Sequence, residues 1–283
     1  MNNQPRPIIY TDLDGTLLDR ESYSFAAASD CLARLASLQV PVIPVTSKTF
    51  VEVSELREQL GSITPFIVEN GAATYIPRGY FAEQPADTEP LQVNGESFWV
   101  RSGSRLSPRD NPALSGIYRD FASHFVLLGE MSQAELVDAT GLSPAAAQAA
   151  RTREFSNPVF WHGEAAARAG FIEQVEQAGY KVAHGGRFLH VLEAGFDKGA
   201  TLNWLTGVYC THRKRSQYLT VGCGDSDNDV PMLAAVDVAI FLGDEQPALP
   251  GVADTVDVRT HVNSGPAAWA ECVGQLLAEL DLP

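Results

Sequence analysis

The chain has 283 residues, 45% of them hydrophobic, which is enough for two domains that each bury a core. Its 35 acidic residues against 20 lysines and arginines leave a formal net charge of −15, which argues against nucleic acid or an anionic membrane surface as partner, since both need a positive field. No apolar run is long enough for a membrane span, MNNQPRPIIY lacks a signal core, and Cys31, Cys210, Cys223 and Cys272 lack metal-site spacing, so a cytoplasmic location with buried free thiols is expected.

RPIIY (6–10) predicts a buried strand, and Phe25, Leu32, Leu35 and Leu38 then recur near the helical period. VPVIPV (40–45) predicts a second strand, weakened by Pro41 and Pro44 because proline cannot donate to a sheet ladder. TFVEVSELREQLG predicts a helix closed by Gly61, and Asn70-Gly71 between two apolar runs predicts a hairpin. From Glu83 to Glu96 the chain is polar and contains proline, which reads as a linker. Beyond it, Ser132 with Glu135 forms a capping-box pair, Ser143-Pro144 opens another helix, and EAAARAGFIEQVEQAG predicts a third. HFVLL, PVFW and RFLHVL are short strands between these helices, so this stretch reads as an α+β insert. From FDKGATLNWL onward strand and helix alternate again, with QYLTVGCGD, DVAIFLG and TVDV as strands and GPAAWAECVGQLLAEL as the closing helix. The pattern predicts an α/β protein whose doubly wound parallel-sheet core, residues 1–84 and 193–283, is split by an insert at 85–192.

Ligands of open α/β sheets bind beyond the carboxyl ends of the strands, and four polar clusters fall there. They are Asp12 and Asp14 after the first strand; Thr46, Ser47 and Lys48 after the second; Lys198 at a helix start; and GDSDND at 224–229. Side chains at i and i+2 of an extended segment point the same way, so Asp12 and Asp14 can converge, which is tolerated when a cation or proton lies between them. Asp225, Asp227 and Asp229 add hard oxygen donors that would complete a magnesium site, while Lys48 and Lys198 add positive charge suited to a phosphoryl group. A calcium-loop reading of DSDNDV fails at Val230 and Val236, where glycine and glutamate are required, and GCGDSD lacks the third glycine of a dinucleotide fingerprint. Alone, an Asp-x-Asp pair in a turn is most often a backbone cap. The four clusters in order are what point to chemistry.

DLDGTLLD, VTSKT, DKG and GDSDND, in that order, resemble the four motifs of the haloacid dehalogenase superfamily phosphatases. The resemblance implies a Rossmann-like core, magnesium dependence and an aspartyl-phosphate intermediate. Asp12 is then the nucleophile, in accord with carboxylate covalent catalysis, and Asp14 the general acid and later base. Thr46, with Ser47 beside it, and Lys198 would hold the phosphoryl oxygens. Magnesium would be ligated by Asp12, the main-chain carbonyl of Asp14 and Asp225. Asp229 would support a bound water of the metal site or orient Lys198, and Asn228 would face the site.

The insert takes the place of the larger, α+β type of cap, the part that selects substrate in this superfamily. RTREFSNPVFW and GGRFLHVL, together with TSKT, ENGAA and NSGPAAWAE, are similar to the mannosyl-3-phosphoglycerate phosphatases over nearly the whole chain. That likeness implies a small anionic sugar-phosphate substrate, mannosyl- or glucosyl-3-phosphoglycerate, dephosphorylated to the glycosylglycerate, a compatible solute. Lys48, Arg151, Arg153 and Arg187 are candidates to grip its carboxylate and phosphate, and Glu154 to accept sugar hydroxyls; the competing reading is a solvated helix end. His184, His190 and Trp161 stand near these residues and read more simply as satisfied, surface or core groups. Asn157 departs from the acidic residue expected in close relatives, and Asp227 from a common proline. Two alternatives stay open: a phosphatase for another sugar phosphate, and a non-catalytic binding protein on the same fold. The intact Asp12, Asp14, Lys198 and Asp225 count against the second. The oligomeric state is not legible.

Overall fold

The computed structural model describes residues 6–103, 111–185, 187–243 and 252–282. The first stretch carries β1 (Pro7–Thr11), α1 (Ser29–Ser37), β2 (Val42–Pro44), α2 (Phe50–Leu60), β3 (Phe66–Val68), β4 (Ala73–Pro77), β5 (Glu89–Val93) and β6 (Glu96–Ser102). Next come α3 (Ser115–Asp120), β7 (Phe125–Leu127), α4 (Gln133–Thr140), α5 (Pro144–Ala150), β8 (Val159–Trp161), α6 (Ala165–Gln177), β9 (Tyr180–Gly185) and β10 (Phe188–Glu193). The chain ends with α7 (Lys198–Arg213), β11 (Leu219–Gly224), α8 (Val230–Leu233), β12 (Val238–Leu242), β13 (Asp257–His261) and α9 (Pro266–Glu279).

The parallel sheet has the order β13-β12-β11-β1-β2, so β1, first in sequence, lies beside β11 from the far end of the chain. Both faces are covered, which is why its inner strands read as continuous apolar runs. Ile9, Val221 and Ile240 pack on one face with Leu35, Val53 and Trp269. Ile8, Tyr10, Ile43 and Phe241 pack on the other with Leu202, Leu205 and Met232. The prolines of the second strand are explained by position: β2 is the sheet's edge, where Pro44 costs no ladder hydrogen bond on its open side.

A four-stranded antiparallel sheet, β3-β4-β6-β5, continues from the core through a parallel bridge between Val45 and Ile67. The linker expected at 83–96 is therefore corrected: Glu89–Val93 is a strand paired along its length with β6. Its sequence, EPLQV, hides this because an outer edge strand keeps polar side chains and tolerates Pro90. A second antiparallel sheet, β7-β8-β10-β9, packs Phe125, Val159, Leu189 and Val191 against Tyr118 of α3 and Phe171 and Val175 of α6. The helix-start signals are realised in hydrogen bonds. The Ser132 hydroxyl accepts from the Glu135 amide at 3.2 Å and the Glu135 carboxylate accepts from the Ser132 amide at 2.7 Å, while Ser143 accepts from the Ala146 amide at 3.2 Å.

Candidate active site

Beyond the carboxyl end of β1 the backbone of Asp12 still donates to the Cys223 carbonyl of β11 at 2.9 Å, which fixes where its side chain emerges. Asp12 is 5% exposed and Lys198, the first residue of α7, only 1%. The Lys198 ammonium donates to Asp12 Oδ1 at 2.8 Å and to Asp229 Oδ1 at 2.6 Å. Buried charges need such pairing, because an unpartnered one is held out of water at large cost. Asp229 is anchored in turn by its other oxygen, which accepts from the backbone of Asp225 at 3.0 Å and of Ser226 at 3.2 Å. Asp225 accepts from the Thr16 hydroxyl at 3.1 Å and pairs with Arg20. Asp12, Asp225 and Asp229 each offer a carboxylate oxygen within 4.8 Å of one another. Asp227, expected to join them, is exposed and turned away, because the short helical turn at 227–229 points only its later residues inward.

Electrostatics shows what this cluster suits. Burial pushes the Asp12 carboxyl well above its ordinary range; Lys198 pulls it back, and Asp229 and Asp225 push it further up. Burial and the neighbouring Asp229 carry Asp225 up to about 6 against Arg20 and Thr16. Burial alone would discharge Lys198, but Asp12 and Asp229 outweigh it and hold the ammonium charged. Oxygen-only donors, with Asp12 and Asp225 lifted first by burial and then by mutual repulsion, fit a hard divalent cation, which would relieve that repulsion.

Asp14 sits at the rim, where its Oδ2 meets Lys48 Nζ at 2.8 Å and its buried Oδ1 has no hydrogen-bond partner among the described residues. Between the two aspartates' loop and Asp225 lies Gly15, at φ +81°, where a Cβ would stand 2.4 Å from Asp225 Oδ2. Both backbone and space demand glycine there. Thr46 is buried, and its hydroxyl accepts from the Lys48 amide at 3.2 Å, shaping the loop that Ser47 completes.

The hairpin at Asn70-Gly71 forms, and it ties the clusters together. Glu69 and Asn70 are left-handed at φ +52° and +60°, and Gly71 at +101°. The Asn70 amide donates to the Thr46 carbonyl at 2.8 Å and the Glu69 amide to the Lys48 carbonyl at 2.9 Å. Asn228 donates its side-chain amide to Asn70 Oδ1 at 3.2 Å, and the Thr201 hydroxyl of α7 donates to the Gly71 carbonyl at 2.9 Å. A Cβ on Gly71 would strike the Asp197 carbonyl carbon at 2.3 Å, immediately before Lys198.

The candidates from the insert divide. Arg153 reaches the core but is spent on structure, donating to the Ser47 carbonyl at 3.0 Å and the Ser156 hydroxyl at 3.3 Å. Arg151 and Glu154 flank it on the same loop, half-buried and exposed respectively. Arg187 is exposed and donates to the Ala139 carbonyl at the end of α4, away from the carboxylates. His184 is exposed beside Arg168, whose guanidinium lies 2.9 Å from its Nδ1. His190 is buried, and burial with the charges of Arg153 and Lys198 holds it neutral, down at about 3. Trp161 stacks on His124 at 5.8 Å within the insert's own core. Thr16, Arg20 and Glu69 are not among the sequence-predicted site residues: Thr16 stands inside DLDGTLLD without a role assigned to it, Arg20 follows in ordinary turn sequence, and only ENGAA points to Glu69. A cavity of about 700 Å³ lined by Arg6, Pro41, Ile63 and Tyr218 opens at the amino ends of the strands, opposite these groups.

Family comparison agrees with this geometry. A family model described as haloacid dehalogenase-like hydrolase matches residues 9–92, and one described as sucrose-6F-phosphate phosphohydrolase matches residues 161–273. The chain is 33% identical over 283 residues to a glucosyl-3-phosphoglycerate/mannosyl-3-phosphoglycerate phosphatase of Persephonella marina, covering 97% of this chain and 98% of that protein. A protein of the same description from Methanococcoides burtonii is 29% identical over 272 residues, 96% of this chain and 97% of the relative. Among solved structures, a haloalkanoate-superfamily phosphatase of Bacteroides thetaiotaomicron superposes with a TM-score of 0.68 at 15% identity, covering 100% of this chain and 97% of that one. The sucrose-phosphatase of Synechocystis, solved with sucrose and phosphate, gives 0.61 at 16% identity, covering 98% and 99%.

Proposed function

The chain belongs to the glucosyl-3-phosphoglycerate/mannosyl-3-phosphoglycerate phosphatase family of haloacid dehalogenase-like hydrolases, and from that premise we propose that it dephosphorylates mannosyl-3-phosphoglycerate, with the glucosyl ester as second candidate. It is a phosphoric monoester hydrolase. The observation that carries the reading is the buried Asp12–Lys198–Asp229 chain beside Asp225 at the sheet's carboxyl edge.

Asp12 acts as the nucleophile. Through the oxygen that does not face Lys198 it attacks phosphorus, the bond to the glycerate oxygen breaks, and Asp14 protonates the departing alkoxide. Lys198 favours the ionised form of Asp12 against the pull of burial and, with Thr46 and Ser47, offsets charge on the phosphoryl oxygens. Asp14, left as a carboxylate beside Lys48, then takes a proton from the water that attacks the aspartyl phosphate, which frees Asp12 and releases phosphate. Asp12, Asp225 and the main-chain carbonyl of Asp14 would hold magnesium, with Asp229 behind them. When bound, the cation supplies the charge neutralisation that lets a carboxylate approach a phosphate dianion.

Substrate choice belongs to the insert. On this reading the covering unit is counted from the end of β6, since β5 and β6 belong to the sheet begun by β3 and β4. Arg151 and Glu154, on the loop held against Ser47, meet the glycerate carboxylate and the sugar, while Arg153 fixes that loop. A net charge of −15 argues against nucleic acid as partner, and the phosphatase reading makes the substrate a small anionic sugar phosphate.

The test is phosphate release from mannosyl- and glucosyl-3-phosphoglycerate, sucrose 6-phosphate and an aryl phosphate, each with magnesium and with chelator. Selective, metal-dependent release from the glycosylglycerate esters is expected. The second reading, a sucrose-phosphate phosphatase, is favoured by the family model matching 161–273. It wins if sucrose 6-phosphate turns over and the other two sugar esters do not.

A further inference from the structure

We infer that Glu69 is a positioning residue that latches the insert over the site, so that turnover of a sugar ester depends on it while the chemistry of the core does not. The inference rests on the phosphatase reading above. Glu69 is 1% exposed and touches none of the reacting groups. Its carboxylate accepts from the Glu154 amide at 3.0 Å, the Phe155 amide at 3.3 Å and the Ser156 hydroxyl at 2.6 Å, three donors from one short stretch of the insert. Arg153 closes a ring by bonding both Ser156 and the Ser47 carbonyl. The N-cap hydroxyl of α2, Thr49, also reaches the Ala149 carbonyl of the insert at 3.2 Å.

On the core side the latch is rigid. The left-handed backbone at Glu69, rare for a residue with a side chain, is held by the bonds from the 69–70 amides to the Lys48 and Thr46 carbonyls. The insert's loop is thereby registered against the residues that would hold phosphate, with Arg151 and Glu154 beside them. Without the carboxylate, the docked arrangement would leave two partly buried backbone N–H groups and the buried Ser156 hydroxyl lacking their acceptor, whereas in an undocked one water would serve them. The balance then moves toward the undocked form. The sugar-facing groups then leave the site.

The experiment compares wild type with Glu69→Ala and Glu69→Gln on the preferred sugar ester and on an aryl phosphate too small to need the insert. For the sugar ester, kcat/KM should fall about 10- to 100-fold in Glu69→Ala, with Glu69→Gln in between because one acceptor oxygen remains. Aryl phosphate turnover should stay within about twofold of wild type, as the core machinery is untouched. Amide hydrogen exchange should quicken at Glu154 and Phe155 but not at Glu69 and Asn70. A parallel fall for both substrates, or undiminished turnover of the sugar ester, would overturn the inference. If Glu69→Ala does not fold, Ser156→Ala, which removes one of the three donors, carries the same comparison at smaller amplitude. The exchange measurement needs no substrate, so it decides the latch even if the glycosylglycerate esters prove to be the wrong compounds: unchanged protection at 154 and 155 would refute it.

Discussion

Lys198 and Arg187 are both cations that the sequence directs toward a phosphate, yet Lys198 lies buried between Asp12 and Asp229 while Arg187 is exposed against the Ala139 carbonyl. The same contrast runs through the two regions that carry them. At the carboxyl edge of the parallel sheet, each charged group has an opposite charge or hydrogen-bond donor within reach, and burial makes those partners indispensable. In the insert, the two candidate arginines hold backbone carbonyls instead, Arg153 that of Ser47 and Arg187 that of Ala139. Proximity in a motif predicts chemistry only where a rigid strand end fixes the direction of the side chain.

The hardest blow to the core side is Asp12→Asn, which should keep the fold because Lys198 retains Asp229 as counter-charge, and should lower kcat by about 10⁴-fold, as measured by phosphate release. Retained turnover would erase the difference between the two regions. Next is Lys198→Met, which leaves Asp12 and Asp229 buried without their cation and should cost about 3–5 kcal/mol of stability in denaturant titration, partly recovered by added magnesium.

A smaller effect sharpens the electrostatic half of the contrast. Asp225 is raised to about 6, so below that pH it is protonated in the folded protein and a proton competes with the metal. Metal affinity should rise with pH and level off above about 7, with affinity at pH 5 about tenfold below that at pH 8 by calorimetry. A flat profile would mean that Asp225 does not bind metal. The smallest effect is predicted in the insert: Arg187→Ala should change kcat/KM less than about twofold, because its exposed contact is screened by water.

Much of the core was legible in the sequence, and for a physical reason. Asp12 and Asp14, Lys198, and Asp225 with Asp229 each sit one residue or turn beyond a strand or at a helix start, and such junctions allow few side-chain directions. The parallel sheet followed from the alternation of strand and helix signals, and helix starts at Ser132 and Ser143 from their capping hydroxyls. β5 was hidden because an outer edge strand shows no apolar alternation. Asp227 pointed outward because a helical turn of three residues cannot aim them all one way. Arg20 and Glu69 gave little signal, because their roles depend on which distant segment docks against them: Asp225 for the first, residues 154–156 for the second. The direction of Arg187 was likewise set by packing within the insert, which no local spacing encodes.

The central claim is that the Asp12 carboxylate takes the phosphoryl group. It is tested most directly by mixing the Asp14→Asn variant, in which water attack is slowed, with magnesium and an aryl phosphate whose leaving group departs without a proton from Asp14, quenching in acid, and locating the added phosphoryl mass by peptide mass spectrometry. The account predicts the mass on Asp12, labile to hydroxylamine and missing when Asp12→Asn is combined with Asp14→Asn. Phosphoryl mass on another residue, or phosphate release by Asp12→Asn at the wild-type rate, would contradict it.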